Sequence, residues 1–276
     1  MININAKSIE SDPISVRLQN KVALVTGATS GIGLAIARAL AAQGCAVGVN
    51  GSRDEREIAP LADEISQAHG VKCLALSADM GDARAIAAMM ARAQHELGPI
   101  DILVNNAGVQ HVAPLHEFPP EKWDALIAIN LSSAFHTTRA ALGPMMDRGW
   151  GRIVNIASAH GLVASPYKSA YVAAKHGMLG LTKVTALEAA EKGVTCNAIC
   201  PGYVWTPLVE KQIPDQARAH GMSEKDVIEK VMLAPQPNKK FATVEEIAAL
   251  TVFLCSDMGA SITGASLPVD GGWTAW

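Results

Sequence analysis

A doubly wound α/β fold built on a parallel sheet is predicted for this chain, and three observations predict it. Short apolar, β-rich runs alternate with longer segments of helical periodicity through most of the 276 residues. The runs are nearly continuous in apolar character, as expected of strands covered by helices on both faces. The connections are short, which favours right-handed βαβ crossovers.

In order, the apolar runs are 22–26, 46–50, 72–77, 102–105, 152–157, 195–200 and 266–269. Helical periodicity occupies about 31–43, 55–69, 82–97, 121–147, 169–192 and 243–256. The first run leads straight into Thr26-Gly27-Ala28-Thr29-Ser30-Gly31-Ile32-Gly33 and then a helix. Asn105-Asn106-Ala107-Gly108 follows the fourth run, and Ser158 ends the fifth. Tyr171-Val172-Ala173-Ala174-Lys175 begins the next helix, Pro201-Gly202 closes the sixth run, and Asp270-Gly271-Gly272 follows the last. One interval breaks the rhythm. Residues 203–241 carry Pro207, Pro214, Pro235 and Pro237 and are too long for a plain connection, so a binding lid with helices of its own is expected there.

No linker or charge block divides the chain, so 19–276 is read as a single domain, preceded by a polar leader, 1–18, that is expected to be disordered. The formal net charge is −3 with Lys and Arg scattered, which gives no electrostatic footprint for nucleic acid. Five cysteines without framework spacing favour a reducing compartment. The leader lacks the apolar core of a signal peptide, and no apolar run nears the ~20 residues of a membrane span. A cytoplasmic enzyme or binding protein with a small ligand, no membrane partner and no metal is expected.

The glycine turn has a physical reading. Glycines let a backbone approach a pyrophosphate, and the following helix start offers free N–H groups at its positive dipole end. The order strand, turn, helix is the one required. The spacing is TGxxxGxG. Together with NNAG at 105–108, Ser158, the YxxxK pair and the PG and DGG turns, it resembles the short-chain dehydrogenase/reductase family over about residues 20–276. The resemblance implies a Rossmann-type seven-stranded sheet with helices on both faces, a nicotinamide cofactor and a homotetramer. It also implies that Gly27, Thr29, Ser30, Gly31, Ile32, Gly33, Asp79, Met80, Asn106, Tyr171, Lys175, Pro201, Gly202 and Val204 bind the cofactor. Asp79 has a second reading as the cap of the following helix. NAD is favoured and NADP stays open, because Ser52-Arg53 replaces an acidic residue after the second strand.

Tyr171 and Lys175 stand four apart on one helix and share a face. A phenol with a pKa near 10 is a poor base at neutral pH, and a nearby ammonium with an oxidised nicotinamide would lower it. Tyr171 would then take a hydroxyl proton as hydride leaves, while Ser158 holds the reacting oxygen. The resemblance adds Asn130 to this catalytic set, as support for a water that links Lys175 to solvent.

The stretches Ser158-Ala159-His160-Gly161-Leu162, Lys168-Ser169-Ala170-Tyr171, Gln110-His111 and 206–213 are similar to the bacterial (R)-3-hydroxybutyrate dehydrogenases within that family. This implies a small 3-hydroxy acid substrate whose carboxylate is held by Gln110, His160, Lys168 and Gln212, with its hydroxyl at Ser158 and Tyr171. Lys168 would supply charge, and the amides and imidazole directional donors. Two competing readings are an NADPH-linked 3-oxoacyl reductase and a dinucleotide-binding regulator without chemistry. A thioester substrate would leave the four carboxylate ligands without a purpose, and a regulator would have no use for Ser158, Tyr171 and Lys175.

Overall fold

The computed structural model describes residues 18–275, in which seven strands form one parallel sheet. They are β1 (Val22–Val25), β2 (Ala46–Gly51), β3 (Cys73–Ser77), β4 (Ile102–Asn105), β5 (Gly151–Ile156), β6 (Val194–Pro201) and β7 (Ser266–Val269). The order across the sheet is β3-β2-β1-β4-β5-β6-β7. Ala23 is paired with Val47 on one side and Ile102 on the other, so the chain reverses its direction of winding between β1 and β4. A crevice opens at the carboxyl ends of strands at such a switch point.

Alternation along each strand decides which layer its side chains join. Ala23 and Val25 of β1 pack against α1 (Gly31–Ala42) and α2 (Glu55–His69), in a core shared with α9 (Val244–Cys255). Leu24 points the other way, with Leu76, Leu103 and Ile153, into a core made with α3 (Ala83–Leu97), α5 (Ser133–Arg148) and α6 (Ser169–Ala189). Each buried Val, Leu or Ile among them contributes roughly 1.5–3 kcal/mol through burial. Leu18, at the end of the leader read from the sequence, is itself buried and donates its N–H to the Gln43 carbonyl. The rest of that leader, 1–17, lies outside the described residues.

The segment read as one helix over 121–147 has three parts. α4 (Pro120–Ile127) passes through a π turn, Ala128–Ser132, into α5. Apolar periodicity carries across a π turn with little disturbance, so the extra residue leaves no mark in the sequence, and π turns gather at functional sites.

The 203–241 interval holds α7 (Pro207–His220), α8 (Glu224–Val227) and a second π turn, Ile228–Met232. Thr206 caps α7 and Pro207 occupies its first turn, where a missing N–H costs nothing. Ile213, Ala217, Val227 and Met232 form a small core separate from the two faces of the sheet. The root of this unit is fixed: the Tyr203 carbonyl accepts from Ala242 N–H at 2.9 Å, and Trp205 N–H donates to the Ala242 carbonyl at 3.0 Å.

Candidate active site

A cleft of about 430 Å³ opens over the carboxyl ends of β1, β4, β5 and β6. One half is made by the glycine turn. Gly27 and Gly31 have φ of 60° and 54°, the left-handed region that glycine enters without strain. A Cβ on Gly33 would stand 2.3 Å from the Gly27 carbonyl oxygen and 2.4 Å from Asn106 Nδ2, so α1 can start this close to the strand only with glycine there. Asn106 Nδ2 donates to the carbonyls of Thr26 and Gly27, each at 2.9 Å, and holds the turn from across the sheet. From the other side Asn50, fully buried, accepts from Gly27 N–H at 3.1 Å and donates to the Leu76 carbonyl at 3.1 Å. Ser30, the residue that precedes α1, offers the helix no side-chain cap. The first-turn N–H groups therefore face the cleft at the positive end of the helix dipole, as an anionic ligand requires.

Thr29, Ile32, Met80, Pro201, Gly202 and Val204 line the same half, as does Asp79. Of its two readings, Asp79 loses the helix cap. Asp82 caps α3 by accepting from Arg84 N–H at 2.7 Å, whereas Asp79 folds back on Gly81 N–H at 2.8 Å in an exposed turn on the cleft rim.

The other half gathers the expected chemistry. Ser158, His160, Lys168, Tyr171, Lys175 and Gln110 all line it. Ser158 Oγ accepts from His160 N–H at 3.1 Å. The His160 ring lies edge-on to Tyr171, with centroids 6.0 Å apart, and its Nε2 is 2.9 Å from Ser165 Oγ. Burial drives the His160 pKa down to about 3, helped by the charge of Lys168, so this imidazole is neutral and offers hydrogen bonds rather than charge. Gln110 Oε1 is buried without a hydrogen-bond partner among the described residues, although the cleft lies beside it. Such an atom costs free energy unless a ligand or water meets it.

Lys175 is buried and donates to the Ile156 carbonyl at 2.7 Å, with its nitrogen 5.6 Å from the centre of the Tyr171 ring. Burial lowers its pKa to about 8. The Tyr171 phenol is buried. In the protein by itself its pKa is raised, because burial outweighs the hydrogen bond from Ser158, and Tyr203 adds to the rise. Within the protein by itself, the groups around the phenol do not bring it below its ordinary value.

Asn130 is held by the loop after β4. It is fully buried in the first π turn, and its side chain exchanges two hydrogen bonds with the Val109 backbone: Val109 N–H to Oδ1 at 2.8 Å and Nδ2 to the Val109 carbonyl at 2.9 Å. One Nδ2 hydrogen and one Oδ1 lone pair remain beyond those two bonds. Gln212 belongs to α7, but its side chain lies outside the described residues.

Asn50, Tyr203, Thr206 and Trp273 are among the cleft residues to which the sequence assigned no role in the site. A buried Asn inside an apolar strand was the one available signal. Trp273 arrives because Asp270, through its two carboxylate oxygens, accepts from Gly272 N–H, Thr274 N–H and the Thr274 hydroxyl, which curls the chain end over the cleft.

The glycine cradle, the uncapped helix start and the orphaned Gln110 oxygen suit a dinucleotide beside a polar substrate. Residues 21–217 match the short chain dehydrogenase family. The chain belongs to the short-chain dehydrogenase family. It is 59% identical over 255 residues to the D-beta-hydroxybutyrate dehydrogenase of Rhizobium meliloti, covering 92% of this chain and 99% of the relative. It is 55% identical over 259 residues to the protein of the same name from Cupriavidus necator, covering 94% and 99% of the two chains. A crystal structure of a candidate short-chain alcohol dehydrogenase from Sinorhizobium meliloti 1021 superposes with a TM-score of 0.83 at 36% identity, over 94% of this chain and 98% of that one. As a short-chain dehydrogenase the protein is an oxidoreductase that works with a nicotinamide cofactor. No helix among the described residues is long and apolar enough to cross a membrane.

Proposed function

We propose that this short-chain dehydrogenase oxidises (R)-3-hydroxybutyrate to acetoacetate, with NAD as the preferred cofactor. The observation that carries the reading is the convergence of Gln110, His160 and Lys168 with Ser158 and Tyr171 in one half of the cleft. A neutral alcohol needs no cation there; a short hydroxy acid does. The naming of the relatives at 59% and 55% identity as D-beta-hydroxybutyrate dehydrogenases supports the same substrate.

The bound nicotinamide supplies the acceptor for the hydride that leaves C3. Lys168 attracts the substrate carboxylate, and Gln110 and neutral His160 direct hydrogen bonds to its oxygens. Gln212 joins them as the α7 unit closes, and that unit serves as a lid that excludes water. Ser158 holds the C3 hydroxyl, Tyr171 as phenolate takes its proton, and Lys175 keeps that phenolate paired with a positive charge. Asn130 steadies the loop beside the nicotinamide through Val109. Gly27, Gly31 and Gly33, with the first turn of α1, hold the pyrophosphate, and Asp79 with Met80 faces the adenine.

NAD is favoured on the likeness to the hydroxybutyrate dehydrogenases alone, since Ser52 in the cleft suits either cofactor and exposed Arg53 is the group that would serve a 2′-phosphate. The exposed apolar side chains Phe135, Val184 and Leu187 on α5 and α6 support a homotetramer. Five unpaired cysteines support a cytoplasmic setting.

The test is a screen of both 3-hydroxybutyrate enantiomers with NAD and NADP, followed at the reduced-nicotinamide absorbance. Turnover of the (R) enantiomer with higher kcat/KM for NAD is expected. No turnover of the acid with either cofactor would overturn the substrate. A preference for NADP that Arg53→Ala weakens would overturn the cofactor assignment.

A further inference from the structure

We propose that Tyr203 is a positioning residue that holds Lys168 in place for the substrate carboxylate. The inference rests on the hydroxy-acid reading above and deepens it.

Lys168 stands at the residue before α6, on a backbone already held: Tyr167, at φ 67°, accepts Ala113 N–H on its carbonyl at 3.0 Å. Its side chain is a different matter. A four-carbon stem has many rotamers, and an ammonium that strays takes its charge out of reach of a carboxylate. Among the described residues its ammonium makes one hydrogen bond, to the Tyr203 phenol oxygen at 3.2 Å, and lies 5.3 Å from the centre of the same ring. Two N–H donors remain for a ligand in the cleft that both residues line.

Tyr203 is suited to this task because it is itself immobilised. Its backbone N–H donates to the buried Gln236 side chain, and its carbonyl is bonded to Ala242. Its ring is stacked on Trp273, with an interplanar angle of 7° and centroids 5.9 Å apart. Trp273 in turn meets the edge of His160 at 5.0 Å. One aromatic series thus spans two of the carboxylate ligands, Lys168 and His160, and it is anchored at the root of the α7 unit rather than on its outer helices. The phenol oxygen accepts the bond from the ammonium, which leaves the positive charge directed toward the substrate.

The experiment is a double-mutant cycle of Tyr203→Phe and Lys168→Ala in the full-length holoenzyme, with steady-state oxidation of (R)-3-hydroxybutyrate and NAD as the readout. Phe keeps the stack on Trp273 and removes only the oxygen, and an unchanged thermal midpoint verifies this. Tyr203→Phe is expected to raise KM by roughly five- to tenfold with kcat within about twofold, as for one charge-assisted positioning bond. In the Lys168→Ala background the same change should have no further effect. An unchanged KM, or an equal rise in both backgrounds, overturns the role of Tyr203. If the parent enzyme does not oxidise the acid at all, the substrate reading fails first and this inference with it.

Discussion

Lys175 gives its ammonium to the Ile156 carbonyl at 2.7 Å while standing beside, not against, the Tyr171 ring. The carbonyl fixes the nitrogen near the end of β5, two residues from Ser158. Burial has opposite effects on the two side chains, pulling the lysine pKa down to about 8 and pushing the phenol up.

A pH dependence follows. In the chemistry proposed above the two groups work as a unit, and the first proton is expected to leave the pair near the lower value, whichever atom releases it. Oxidation needs the pair one proton short, so kcat/KM for the hydroxy acid should rise with pH and level off above an apparent pKa no higher than about 8. The positive charge of the oxidised cofactor can only lower that value. In Lys175→Met the phenol must ionise alone from its raised pKa, so the limb should move to higher pH. A pH–rate profile of both proteins checks this, and an unmoved limb would contradict the coupling. No limb near pH 6.5 should be assignable to His160, whose pKa lies at about 3.

Tyr171→Phe should reduce turnover by about 10²–10⁴-fold, the usual loss of one general acid–base group. Cofactor affinity, measured by nucleotide fluorescence titration, should change less than threefold, because the phenol oxygen is separate from the glycine turn. Turnover within tenfold of the parent would remove Tyr171 from the chemistry.

Gly33→Ala tests the cradle. Its new Cβ would meet three atoms closer than any real Cβ approaches, two of them backbone, so α1 must shift away from β1. A loss of about 1–3 kcal/mol in stability is expected from such overpacking. Thermal denaturation should show a lower midpoint, and dinucleotide binding should weaken by more than tenfold. Wild-type affinity in this variant would mean that the phosphates sit elsewhere.

Lys168→Ala should raise KM for (R)-3-hydroxybutyrate by about 10- to 100-fold, as for about 1.5–3 kcal/mol of charge-assisted bonding. A neutral secondary alcohol, if turned over, should show little change. Equal losses on both substrates would make Lys168 structural.

The strands were legible almost residue by residue: 102–105 and 266–269 coincide with β4 and β7. A run of β-branched and aliphatic residues has few other uses in a chain of this class. The glycine turn, Ser158, Tyr171 and Lys175 were legible because their spacing along the chain is local. What could not be read depends on distant partners. Nothing near Asp79 says that Asp82 will win the cap, and nothing near Asn130 says that Val109 will occupy its amide. Tyr203 and Trp273 are seventy residues apart and meet only because the sheet carries β6 beside β7. The raised phenol pKa of the protein by itself has a related cause, since burial is a property of the assembled cleft.

The all-parallel sheet also has a kinetic consequence. No two neighbouring strands can pair through a tight hairpin, because each parallel neighbour requires a crossover. β1 reaches β4 only across about 75 residues of intervening chain, a separation at which loop closure is costly and folding slow. The glycine turn on β1 and its Asn106 brace after β4 are divided by that same gap. On refolding, helical signal should therefore return well before dinucleotide affinity, and the time between them would measure how long the central strands take to find one another.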